Sequence, residues 1–204
     1  MSTIVPTRDR HASSNGTVAG PATRDPQITT QFVGRTEVTK PAIGSRTARY
    51  AWAVARIGMG FTFLWAFFDK TFGLGFATPA AKAWIDGGNP TKGFLSGAEG
   101  PFAGFYHNLA GTGFANWAFM LGLLGIGSAL LAGIGMRIAA GAGALLLTMM
   151  YTVALPPATN PLIDDHLILA VLLIGLAAAG AGATLGLGRW WVGTSLVKRL
   201  PWLK

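Results

Sequence analysis

Four long apolar runs, at residues 50–72, 114–134, 138–155 and 166–187, leave this chain few ways to fold. An α-helix rises 1.5 Å per residue, so about 20 apolar residues cross a hydrocarbon layer roughly 30 Å thick. Inside that layer every backbone N–H and C=O needs a partner within the protein, a condition helices meet on their own. The composition agrees: 51% of the 204 residues are hydrophobic and 12% are charged, against about 25% charged in a soluble domain. The expected fold is all-α, a four-helix transmembrane bundle with short interfacial helices in the first extracytoplasmic loop.

Small residues recur along the spans and permit close helix approach. Gly125, Ala129 and Gly133 form one stripe in the second span, Ala139 and Gly143 one in the third, and Ala178, Gly182 and Gly186 one in the fourth. Gly135-Met136-Arg137 makes a very short turn, so spans two and three are antiparallel neighbours. Arg56 lies a little over one turn inside the first span, where its side chain is expected to snorkel back to the headgroups. Asp69-Lys70 closes that span. In the connection 73–113, Thr78-Pro79 starts a short helix that Gly87-Gly88 ends, and Asn89-Pro90 turns the chain. Pro101 starts another through Phe102, Phe105, Tyr106 and His107. Both pieces are too short to span and suit the interface, or a lid over the bundle.

The two tails differ from the middle. Residues 1–49 are polar and lack an apolar signal-peptide core, so they read as a cytoplasmic tail that is disordered alone. The run from Gln27 to Val33 offers a strand or a docking segment within it. Residues 189–204 are basic and Trp-rich, suited to the headgroup layer. Seven Lys/Arg precede Tyr50, Arg137 sits in the turn between spans two and three, and four more lie in the C-terminal tail. The positive-inside rule then places both termini and Arg137 in the cytoplasm. The expected location is the plasma membrane, crossed by several spans. The net charge of +8 is explained by this distribution, so nucleic acid is not an expected partner; the lipid bilayer is. The sequence contains no cysteine, which removes thiolate chemistry and disulfides.

The topology gathers Asp69, Lys70, His107, Asp164, Asp165 and His166 on the outer side, although they come from three separate segments. Ionisable groups beside the apolar layer are costly and tend to be paired or functional. Each also has a structural reading. Asp164 or Asp165 caps the fourth helix; Asp69 and Lys70 form an interfacial helix end; His107 is a polar tip; His166 bonds Asp69 or Asp164. The spacing of Asp164 and His166 does not place both on one face of a regular helix, so no metal site is expected. No haem, flavin-type GxGxxG or P-loop motif occurs.

One pattern resembles a known family. Arg56-x-x-x-Gly60-x-x-Phe63-Leu64-Trp65-x-x-x-Asp69-Lys70 is similar to the opening span of DoxX/DoxD-like membrane proteins. Three further stretches are similar to actinobacterial members: Trp84-Ile85-x-Gly87-Gly88-x-Pro90-Thr91-x-Gly93-Phe94-Leu95, Gly100-Pro101-Phe102, and Asn160-Pro161-x-x-Asp164-x-His166. The resemblance covers roughly residues 50–188 and implies a four-helix membrane bundle. DoxD-type members are linked to thiosulfate:quinone oxidoreductase, which implies a membrane redox component with quinone as its cofactor. In that reading His166, oriented by Asp164 or Asp69, exchanges protons with a quinone lying against Trp65 and Phe68. Lys70 attracts the sulfur anion, with Asp165 and His107 beside the same cleft. Many DoxX-type members instead suggest a non-catalytic accessory subunit of a larger respiratory or other membrane complex.

Overall fold

The structure, a computed structural model, describes residues 45–158 and 160–203. The expectations for the N-terminal tail, including the run from Gln27 to Val33, lie outside the described residues. Among the described residues the chain is all-helical, with no strand. Its longer helices are α1 (Arg46–Phe72), α4 (Gly113–Ala132), α5 (Met136–Val153) and α6 (Asp165–Ala178). Two short helices, α2 (Lys92–Ser96) and α3 (Ala103–Leu109), lie in the first connection, and α7 (Gly188–Gly193) and α8 (Ser195–Arg199) follow the last long helix. Three helices, α1, α4 and α5, are long and apolar enough to cross a membrane.

Local chemistry sets the helix ends. Ser45 Oγ accepts from Ala48 N at 3.1 Å, so α1 begins four residues before the apolar run does. Gly73 ends α1 at φ 62°, and its N–H bonds Asp69 O at 2.8 Å. A Cβ at Gly73 would stand 2.6 Å from Ala80 Cα, so the position has neither the conformation nor the space for a side chain. Thr112 caps α4 through Ala115 N, and Asp164 caps α6 through Leu167 N. Thr78-Pro79 does not open one short helix as its sequence suggests. The segment makes two single 3₁₀ turns, Ala80–Lys82 and Trp84–Asp86, broken at Ala83 and ended by Gly87 at φ 86°.

Packing runs α1 on α4, α4 on α5 and α5 on α6, with successive members antiparallel. The shared core includes Phe63, Met120, Leu123, Leu130, Leu147 and Leu173. The α1–α4 seam is set by two glycines. A Cβ at Gly60 would lie 2.9 Å from Leu131 N, and one at Gly127 would lie 2.9 Å from Leu64 N. The stripe read through Gly125 is displaced by half a turn, because Gly125 meets open space and Gly127 carries the contact. The Ala139/Gly143 face does pack: Ala139 is buried, and a Cβ at Gly143 would meet Leu173 Cδ1 of α6 at 2.6 Å.

Two further features depart from the sequence reading. The fourth apolar run does not stay helical to residue 187. The α6 helix stops at Ala178, Gly180 turns at φ 64°, and a 3₁₀ turn follows at Ala181–Ala183. Gly182 and Gly186 are therefore not a helix stripe. They press residues 179–188 against the end of α4, with Gly182 so close to Gly133 O that a Cβ would approach to 2.4 Å.

Arg56 does not snorkel. It is fully buried. Its Nη1 donates to Leu130 O and to Leu131 O, the latter at 2.9 Å. Its Nη2 donates to Thr184 O at 3.3 Å and Leu185 O at 2.7 Å. The last carbonyls of a helix have no partner within it, and a guanidinium offers five donors in a fixed fork. Arg56 thus joins the end of α4 to the segment that breaks α6. Leu187 N adds a bond to Ala132 O at 2.8 Å.

Candidate functional site

The alternating helix directions bring the C-terminal ends of α1 and α5 and the N-terminal ends of α4 and α6 to one end of the molecule. Asp69, Lys70, His107, Asp164, Asp165 and His166 all belong to it, but they divide into separate local arrangements.

Asp164 and His166 meet. Asp164 Oδ2 and His166 Nδ1 are 2.7 Å apart, while Asp164 Oδ1 accepts from Leu167 N at 3.2 Å. One carboxylate therefore caps α6 and orients the imidazole. A regular helix would not bring these two side chains together, but Asp164 is the extended N-cap residue, with φ −118° and ψ 178°. His166 is partly exposed and keeps its other ring nitrogen for another partner. Asp165, one residue on, is exposed.

Asp69 takes a different role. It is buried, and its two oxygens accept from Phe76 N at 3.2 Å and Ala77 N at 3.1 Å. It closes the loop after α1, so the orienting group for His166 is Asp164. His107 is exposed on α3, and its Nε2 lies 3.0 Å from Ala98 O. Trp65 stacks on Phe61 and meets the edge of Phe76, and Phe68 stacks on Phe72.

Lys70 alone among these residues reaches a cavity. The cavity holds about 430 Å³ between α4 and α5, under α2 and α3. Phe94 and Leu95 of α2 and Tyr106 and Leu109 of α3 form part of its wall, facing Phe119 of α4 and Met149 of α5. Lys70 is the one charged residue of the lining, its Nζ 5.9 Å from the centre of the Phe119 ring. The lid is tied down on both sides. Thr91 Oγ1 donates to Asn116 Oδ1 at 2.6 Å, which fixes the start of α2 to α4. Tyr106 Oη bonds Thr152 Oγ1 and donates to Met149 O, which fixes α3 to α5.

Such a site accepts an apolar body with one hydrogen-bond-accepting or anionic head, because only Lys70 supplies a charge. Trp65, Phe68, Asp69, His107, Asp164, Asp165 and His166 do not line it. The residues that sequence reasoning missed are Thr91, Asn116, Tyr106 and Phe119. Asn116 carried a signal: it is a lone amide two residues inside an apolar run, where an unpaired polar group is costly. Among the described residues, no three His, Asp or Glu side chains converge as a metal site requires. No family model, curated protein or solved structure matches the chain.

Proposed function

We propose that this chain is a four-span membrane protein of the DoxX/DoxD-like class that holds a quinone under its α2–α3 lid. In this role it serves as a membrane redox component, passing electrons from a small sulfur anion such as thiosulfate to the quinone. The observation that carries the reading is the 430 Å³ apolar cavity with a single cation, Lys70, in its wall. A quinone is an apolar ring and tail whose carbonyl oxygens accept hydrogen bonds, so the chemistry of the lining fits it. The overall reaction would oxidise two thiosulfate dianions to tetrathionate and deliver two electrons, with two protons, to the quinone. Lys70 would hold a carbonyl oxygen, and the Phe and Met side chains would exclude water. His166, held by Asp164 at the same end, would supply protons.

The fourth crossing belongs to this proposal. The 14 residues of α6 cover about 21 Å at 1.5 Å each, short of a full span. Residues 179–188 would complete the crossing as non-helical backbone, which a membrane tolerates where protein buries it. The donors from Arg56, and Arg189 Nε to Ala183 O at 3.0 Å, supply partners that such backbone needs. With four crossings, both tails and Arg137 would face the cytoplasm.

The test is thiosulfate-dependent quinone reduction by the purified chain. Lys70→Met should weaken quinone binding about 10- to 100-fold, the loss expected for a hydrogen bond to a charged group. Turnover and affinity that are unchanged in Lys70→Met would remove the cavity from the mechanism.

A second reading, a non-catalytic accessory subunit, has one observation in its favour. A Cβ at Gly125 of α4 or at Gly141 of α5 would meet nothing within 4 Å, so both leave open strips where a partner helix can approach closely. Recovery of the chain from its own membrane at fixed stoichiometry within a larger complex, without quinone, would favour this reading.

A further inference from the structure

The charges are divided between the two ends of the molecule. Every carboxylate among the described residues (Asp69, Asp86, Glu99, Asp164 and Asp165) belongs to the end that carries the lid. The opposite end holds Arg46, Arg49, Arg137, Arg189, Lys198 and Arg199, all exposed, with no carboxylate among its described residues. Arg56 is at this end too, but its charge is buried and its Nη groups are committed to carbonyls.

The C-terminal segment builds a surface on this end. Its turn Pro201–Leu203 packs on α5, Val197 is fully buried, and Gly188 lies against Gly182. Trp191 Nε1 donates to Leu203 O at 2.7 Å, and Arg137 Nη1 donates to Pro201 O at 3.4 Å. The apolar side chains of the segment nevertheless remain outside: Trp190 is 66% exposed and Trp202 59%, with Leu196 and Leu200 also exposed. The cations also border the apolar flank of the long helices. Arg137 is followed by exposed Ile138 on α5, and Arg49 by exposed Tyr50 and then Val54 on α1.

Exposed Trp and Leu interleaved with Arg and Lys, at the rim of a membrane-facing surface, match the headgroup layer in both its apolar and its charged parts. The continuity of this patch with the exposed apolar flank of α1 and α5 favours lipid over a soluble acidic protein or a nucleic acid, neither of which would cover that flank. We infer that this end is a binding site for anionic phospholipid, with Arg137, Arg189, Lys198 and Arg199 at the headgroup phosphates and Trp190 and Trp202 at the upper acyl chains. The site stands on the charge division and the exposed tryptophans, and does not depend on what fills the cavity.

The experiment is native mass spectrometry of the full chain, exposed to equal amounts of phosphatidylglycerol and phosphatidylcholine. The wild type should retain phosphatidylglycerol selectively. The triple variant Arg189→Gln/Lys198→Gln/Arg199→Gln should lose on the order of 10- to 100-fold in phosphatidylglycerol affinity, as expected for three cations at an anionic surface. Lys82→Gln/Lys92→Gln, at the lid end, should keep the preference. Equal retention of the two lipids by the wild type, or equal losses in the two variants, would overturn the site. Displacement of the lipid by millimolar inorganic phosphate would also overturn it, in favour of a free-anion site. Should the triple variant not fold, the wild type still decides: its preference must decline as added salt shortens the screening length, and a salt-independent preference contradicts the proposal.

Discussion

The guanidinium of Arg56 donates to carbonyls from two segments that are far apart in sequence, Leu130–Leu131 and Thr184–Leu185. Replacing it with Met would leave Leu130 O its bond from Gly133 N but take this donor from the Leu131, Thr184 and Leu185 carbonyls, at about 1–3 kcal/mol each where water cannot enter. Arg56→Met should therefore lower the stability of the detergent-solubilised protein by at least about 3 kcal/mol, measured by thermal or denaturant unfolding. A shift no larger than that of an exposed control, Arg49→Met, would mean that water satisfies the carbonyls instead. His166→Ala tests a different kind of residue. Its contact is with one partly exposed carboxylate, so unfolding should change little, while quinone reduction should be lost. The cap at Asp164 was legible in the sequence, because a short acidic stretch before an apolar run is a helix start, but the partner of His166 was left open between Asp69 and Asp164, and only the extended N-cap conformation of Asp164 decides it. The burial of Arg56 was not legible. A long side chain near a span end reads as reaching for headgroups, and its carbonyl partners exist only once α6 has broken.

Helix seams are where element-scale reasoning came close without reaching the right residue. Small residues along α4 announced a close approach, but several registers of glycine and alanine were available, and only the crossing with α1 selects Gly127 over Gly125. The two glycines make a paired prediction. Gly127→Ala should destabilise by about 1–3 kcal/mol, because its Cβ collides with the backbone and side chain of Leu64. Gly125→Ala should leave the stability of the isolated chain unchanged or raise it by up to about 1 kcal/mol in the same unfolding assay, because its Cβ meets open space and alanine favours a helix. The reverse order would restore the original stripe. The early end of α6 has a similar origin. The run to residue 187 is apolar throughout, so hydropathy cannot mark where the helix stops. The break follows from Gly180 in the left-handed region and from the fit of Gly182 against Gly133.

For the molecule as a whole, hydropathy alone identifies helices long and apolar enough to cross a membrane, and charge placement supplies a topology to test. The absence of cysteine makes that test direct, because every introduced thiol is the only one in the chain. Single cysteines at Ser195 and Ser96 should be labelled by an impermeant maleimide from opposite sides of sealed vesicles. Labelling of both from the same side would contradict the four-crossing arrangement. The cavity was the least legible feature. Its walls are the Leu, Phe and Met expected of any helix bundle, and only their assembly under α2 and α3 leaves space beside Lys70.

A quinone seated in this space would lie against its wall, where photolabelling can capture it. Membranes containing the chain would be irradiated with an azidoquinone, and the modified peptides mapped by mass spectrometry. Quinone in the cavity would give saturable labelling of its wall, at Phe94, Phe119 or Met149, competed by unlabelled quinone and weakened in Lys70→Met. Labelling confined to the Trp65–Phe68 flank of α1, or labelling that does not saturate, would contradict it.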